Sequence, residues 1–216
     1  MDALKVQGQQ LNPLYDRQPV HFGFSLIGNS PRMKYTMSQD FMDFDTMQSV
    51  RTNPFPGFGV GAIANFRLGQ YWDLRTMVNV QFVERHLQFD FKGGHQEFAE
   101  IRSTYLDIPV LVKYKSKRYK NSRIYLVGGP VFRYDFASDI DTDRSNTKPV
   151  VALNPTTFSY DVGFGWDFYY EFFKFSPEIR LSNGLGNHMV EDPFIFAGSI
   201  TRMSPKLIQF FLHFEG

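Results

Sequence analysis

The sequence predicts an all-β protein: an eight-stranded antiparallel up-and-down transmembrane β-barrel. Three observations predict it. Apolar and polar residues alternate over segment after segment, the connections between segments are short and long in turn, and aromatic residues gather near the short connections. Alternation is plainest in "FSYDVGFGWDFYY". Phe158, Tyr160, Val162, Phe164, Trp166, Phe168 and Tyr170 share one face, and Ser159, Asp161, Gly163, Gly165 and Asp167 the other. A period of two is a strand with two unlike faces.

The same pattern marks seven further strands. Phe22, Phe24 and Leu26 mark the first, and Phe58 to Leu68 the second, with Gly57, Gly59, Gly61, Asn65 and Arg67 interleaved. Trp72 to Phe82 is the third. Its apolar set then moves to odd positions at Val83, Leu87, Phe89 and Phe91, which predicts a bulge near Phe82 to Glu84. Leu106 to Tyr114 is the fourth, where Pro109 removes a ladder donor and predicts a bulge or irregular pairing. Ile124 to Phe136 is the fifth and the quoted stretch the sixth. Phe173 to Leu181 is the seventh and Ile208 to Phe214 the eighth.

Short links are expected at Gly69-Gln70, at "SKRYKNS" and around Glu171. Long ones are expected at 28–56, 137–156 and 182–206, with an intermediate one at 92–100. All short turns then lie at one end, as in outer-membrane barrels. Tyr71, Trp72, Tyr114, Tyr169, Tyr170 and Phe214 fall near that end and are expected to form its interfacial girdle. Residues 1–19 read as an N-terminal periplasmic arm and 20–216 as the barrel. The alternative, a soluble sandwich or lipocalin-like barrel, would turn the apolar face inward. Its interior would have to hold an unusually bulky aromatic set, while the polar face carries the glycines and mixed charges that suit a narrow lumen.

Bulk composition narrows the function classes. A net charge of +1 over 216 residues gives no basic excess for nucleic acid. Absence of cysteine excludes a disulfide scaffold and a Cys-based zinc site. No run of about 18 apolar residues exists for a membrane helix. The start, "MDALKVQGQQ", lacks the apolar core of a signal peptide, which leaves a cytosolic protein or the mature part of an exported one.

Inward-facing charges are the first candidate site. Arg67, Arg75, Lys113, Arg133, Asp135, Asp161, Asp167, Glu178 and Arg180 fall on polar faces and are expected to form a closed lumen network. The second is the turn "KYKSKRYKNSR", with six basic residues in eleven, in which Lys115, Lys117, Arg118 and Lys120 read either as a headgroup-facing turn or as a periplasmic docking patch. "GFGVGA" lies inside a strand, so its glycines read as making room in the lumen rather than as a nucleotide loop. His86 and Ser103 are the one weak nucleophile–base pair, with no acid fixed by spacing. The five scattered histidines form no metal motif, and no cofactor is expected.

"YLDIPVLVKYKSKR" resembles a signature of Bacteroidetes outer-membrane barrels. "YDRQPVHFGFSL", "PGFGVGAIANFRLGQYWDLRTMVNVQFVERHLQF", "YLVGGPVFRYDFAS" and "FFLHFEG" are similar more narrowly to the PorT/SprT family of the type IX secretion system. The resemblance runs from Tyr15 to Gly216 and is weakest in the long loops. Leu74 to Phe82 departs from the family's Gly-rich "LRFLPGLSF". It implies an outer-membrane protein needed for type IX secretion, and for gliding motility where that occurs. It also implies partners among the other components of that machinery, no enzymatic activity, and no catalytic residues to carry over. A lipid-modifying barrel enzyme and a generic structural or adhesive barrel are the competing readings.

Overall fold

A computed structural model describes residues 11–12, 15–37, 47–91, 96–136, 155–185 and 200–216. A 3-10 turn, Tyr15–Arg17, precedes nine β-segments: β1 (Val20–Met37), β2 (Met47–Pro54), β3 (Gly57–Arg67), β4 (Trp72–Phe91), β5 (Gln96–Lys115), β6 (Ser122–Asp135), β7 (Thr156–Tyr169), β8 (Lys174–Leu185) and β9 (Ile200–Glu215). All neighbours pair antiparallel. β2 and β3 lie end to end against β4 and act as one stave, so nine segments make eight staves. β1–β9 closes the seam and β4–β5 completes the ring.

The strand faces sort as the alternation predicts. On β7 exposed and buried residues alternate along the segment. Val162 is 56% exposed and its neighbour Asp161 2%. Exposed Phe22, Phe24, Val60, Val78, Val112, Leu126, Phe164, Ile179 and Phe210 continue the belt around the wall. An apolar surface of that extent suits lipid and would be untenable in water. The soluble alternative requires the opposite facing.

Several expectations are corrected. The strands run well past the alternating stretches, so the links shrink. β1 continues to Met37, β5 starts at Gln96, β8 ends at Leu185 and β9 starts at Ile200. The expected link 28–56 contains much of β1 and all of β2. A ladder needs only backbone groups, whereas alternation is imposed by lipid on one face, so strand continues where alternation has faded. The bulge expected at Phe82–Glu84 is not on β4, whose register with β5 is the same from Trp72↔Tyr114 to Asp90↔Gln96. It lies on the neighbouring stave. Between Phe58↔Phe82 and Pro54↔Arg85 that stave advances four residues against three on β4, which puts one extra residue at Phe55–Pro56. Pro54 and Pro56 have no N–H for a ladder and mark the break. Pro109 interrupts pairs without shifting register: β4–β5 skips from Thr76↔Val110 to Asn79↔Asp107 and resumes in step.

Short turns close at 67–72, 115–122 and 169–174, with backbone bonds such as Leu68 N–H to Trp72 O (3.0 Å) and Tyr170 N–H to Phe173 O (2.9 Å). Tyr71, Trp72, Tyr114 and Tyr170 are exposed there. Tyr169, expected beside them, instead points inward and is buried, as its odd position on β7 requires.

Candidate functional site

Inward residues near the short turns carry a dense ionic network. Arg75 on β4 places Nη1 2.9 Å from Glu178 and Nη2 2.9 Å from Glu215. Lys174 on β8 also reaches Glu215, at 2.9 Å. Lys113 on β5 sits 2.8 Å from Asp167, which further accepts from Arg123 Nε (3.1 Å) and Ser176 Oγ (2.6 Å). Arg180 is ion-paired with Glu178 and reaches Asp161 at 3.5 Å. Tyr125 donates to Glu178 at 2.9 Å, and the Lys113 ammonium lies 3.6 Å from the centre of its ring. The ring fits because Gly165 opposite has no side chain; a Cβ there would run into it. Gly163 makes room differently, for Ile179 O, Val127 and Arg180.

Above this floor comes an apolar belt. Ile27, Ile63, Met77 and Phe211 pack together, and Leu111, Tyr125 and Val127 form a second cluster. Farther from the short turns the lumen becomes amide-rich. Asn29 and Gln209 both donate to Gln81 Oε1 at 3.0 Å, Gln81 donates to Asp107 at 2.6 Å, and Arg133 grips Asp107 with two bonds of 2.6 and 2.8 Å. Asp135 is buried near the top of β6. Val83, Tyr105 and Leu207 pack together above. The radius of an eight-stranded barrel is just filled by its own side chains.

Of the nine expected lumen charges, eight are buried. Arg67 is the correction: it ends β3 at the mouth, is exposed, and among the described residues only its Nε finds an acceptor, Gly69 O at 3.4 Å. Its position is odd like its inward neighbours, but the barrel stops there. Asp73, Asp107, Arg123, Lys174 and Glu215 join the buried charges, each on the inward parity of its own strand. The basic turn divides. Lys115 is buried against Asp73, and Arg118 is held by Asp16 (3.5 Å) and stacked on Tyr169 (3.7 Å). Neither is available to dock a partner, whereas Lys117 and Lys120 are exposed.

The end of the arm, Tyr15–Arg17, folds into this mouth. Tyr15 stacks on His21 at 3.7 Å and donates to Glu215 at 3.2 Å. Asp16 reaches Arg123 at 3.0 Å. Burial raises the Asp16 carboxyl, but Arg123 and Arg118 more than offset it and hold the group below its usual value. A cavity of about 270 Å³ opens beside it, between the 67–72 and 115–122 turns, walled by Arg67, Lys115, Lys117, Arg118, Arg123 and Asp16. A second, of about 330 Å³, sits at the Phe55–Pro56 break against Phe58, Phe82, Val83 and Ser103.

His86 and Ser103 do not face each other. The register sets Glu100 opposite His86 and Val83 opposite Ser103, and the His86 side chain lies outside the described residues. A different serine–histidine–acid set is present. Ser25 Oγ is 2.8 Å from His213 Nδ1, and His213 Nε2 is 3.3 Å from Glu178 Oε2. Its order is that of a nucleophile, base and orienting acid. All three are fully buried, neither described cavity is lined by them, and Glu178 is already held by Arg75, Arg180 and Tyr125. Among the described residues no cavity reaches the set.

The solved structure of the outer membrane protein OprG from Pseudomonas aeruginosa is similar in fold, with a TM-score of 0.50 at 12% identity over 91% of this chain and 92% of that one. Ail, the attachment invasion locus protein of Yersinia pestis, aligns with a TM-score of 0.42 at 10% identity over 92% of this chain and 100% of that one. No curated protein matches the sequence. The model of the outer membrane protein beta-barrel domain matches residues 16–189, most of the wall just described, and the chain belongs to that family.

Proposed function

We propose that this barrel is a non-enzymatic, non-conducting component or assembly factor of the type IX secretion machinery in the outer membrane. The observation that carries the non-conducting part is the filled lumen: among the described residues an ionic floor, an apolar belt and an amide layer leave no polypeptide path. The pathway rests on the sequence resemblance from Tyr15 to Gly216. The protein then works through the faces it presents: the lipid-facing wall against a larger translocon, the connections at the long-loop end, or exposed Lys117 and Lys120 on the periplasmic turn. A deletion strain should lose export of cargo bearing the type IX C-terminal signal and regain it on complementation. Normal export would leave a generic structural barrel. The purified barrel should give no steady conductance in a planar bilayer, and stable conductance steps would revive a pore.

A second reading, a lipid-modifying enzyme, draws on the Ser25–His213–Glu178 geometry. Ser25→Ala should leave the lipid A mass spectrum unchanged. A mass shift between wild-type and variant strains would favour the enzyme.

A further inference from the structure

The cavity at the short-turn mouth has a charge imbalance that the fold does not need. Five of its wall residues are basic and one is acidic. Three of the basic ones are already neutralised: Lys115 by Asp73, Arg123 by Asp167 and Asp16, and Arg118 by Asp16. Arg67 and Lys117 are exposed, and neither has a carboxylate partner among the described residues. They stand on adjacent turns of neighbouring hairpins, so the cavity between them faces two unneutralised cations. A fork of guanidinium donors beside an ammonium suits a tetrahedral oxyanion. Depth supplies the second half of the argument. Tyr71 lines the same cavity, and Trp72 and Tyr114, whose rings lie 4.7 Å apart, are exposed beside it. Such rings settle at headgroup level.

We infer that this cavity is a binding site for the phosphoryl group of an anionic phospholipid in the adjoining leaflet, with Arg67 and Lys117 as its two primary ligands. The inference is independent of any role in secretion. Asp16 already shows that the wall accepts an anion: its carboxylate occupies the inner side, against Arg123 and Arg118, and leaves the outer side to the lipid. A soluble phosphate ester shares the chemistry but lacks the acyl chains that the exposed rings would flank.

The test is native mass spectrometry of the full chain in a mild neutral detergent with phosphatidylglycerol, and with diacylglycerol as the phosphate-free control. One phosphatidylglycerol should be retained in preference to diacylglycerol. Arg67→Gln with Lys117→Gln removes two charge-assisted contacts and should weaken retention roughly tenfold or more. Both positions are exposed, and an unchanged β-sheet circular dichroism spectrum confirms that the variant is folded. Lys120→Asn removes one charge from the same turn outside the cavity and keeps a residue type that tolerates its positive φ of 52°. It should leave retention unchanged. Equal weakening by Lys120→Asn, or none by the double variant, would overturn the site. Displacement of the lipid by glycerol phosphate at matching concentration would overturn the lipid source. Preference for a hexaglutamate peptide over the lipid would overturn the proposal in favour of an acidic protein partner.

Discussion

On the short-turn side of the apolar belt the lumen holds Arg75, Lys113, Lys115, Arg123 and Lys174 against Asp73, Asp167, Glu178 and Glu215. On the far side Asp107, Asp135 and Asp161 face Arg133. Arg180 stands at the belt, stacked 4.1 Å over Phe211, and reaches carboxylates on both sides. The two storeys differ in saturation as well as sign. Every carboxylate of the lower storey has at least two partners: Asp73 has Lys115 and Asn65, Asp167 has Lys113, Arg123 and Ser176, Glu178 has Arg75, Arg180 and Tyr125, and Glu215 has Arg75, Lys174 and Tyr15. The surplus cation is met by Asp16, delivered by the arm. In the upper storey a single tight ion pair, Arg133–Asp107, is surrounded by amides, and Asp161 approaches Arg180 only at 3.5 Å. A buried charge network tolerates removal of none of its members, whereas a looser amide layer can rearrange.

That contrast orders the mutational effects. Arg75→Met takes a cation from Glu178 and Glu215 at once and should cost about 3–5 kcal/mol, read by urea unfolding of the barrel in lipid vesicles. Val162→Arg tests the wall instead of the lumen. A charge on the lipid face at mid-membrane should cost about 2–4 kcal/mol in the same assay. Gly165→Ala forces a methyl into Tyr125 in the lower storey and should cost about 1–3 kcal/mol. Gly128→Ala, where a Cβ meets nothing nearer than Asp161 O at 3.6 Å, should be close to neutral. Asp161→Asn in the upper storey should cost less than about 1 kcal/mol. If it costs more than Arg75→Met, the storeys are wrongly ranked.

The smallest effect concerns the arm. Because Asp16 is held below its ordinary value of 3.8, its carboxylate stabilises docking above that pH, and the contribution is lost as pH falls through the lowered value. The chain has no cysteine, so Arg17→Cys gives a single site for a nitroxide. Label mobility should be constant from neutral pH to about 4 and rise below that. Asp16→Asn should show the raised mobility already at neutral pH.

Parity made most of the lumen legible. Each strand's polar positions point inward, and Asp161, Asp167, Glu178 and Arg180 are where alternation puts them. Asp107 and Glu215 carried the same signal, between Leu106 and Ile108 and after Phe214. In each case a single acidic residue stands among apolar ones, without the run of polar neighbours that marks a lumen face. Arg67 and Tyr169 show the converse. The parity of Arg67 is right, but the wall ends beneath it, and the aromatic character of Tyr169 points to the girdle while its parity points inward. The Ser25–His213 contact depends on the β1–β9 register, which joins residues 188 apart in sequence and leaves no local trace. β2 was invisible for another reason: "MQSVRTNP" carries no alternation.

The seam between β1 and β9 carries one more consequence. Closing it joins distant parts of the chain, the contact with the largest loop-closure cost. Glu215 sits on that seam, paired with Gly23, yet its carboxylate neutralises Arg75 from β4 and Lys174 from β8. Before closure Arg75 shares an unfinished concave face with Lys113 and lacks this counter-charge, while Lys174, beside Glu215 on the β8–β9 ladder, already has it. A half-assembled sheet is therefore electrostatically marked as incomplete, and the mark disappears when the ring shuts. Zippering of the last strand and quenching of that interior charge become one cooperative step, which steepens the preference for the closed barrel over any open sheet.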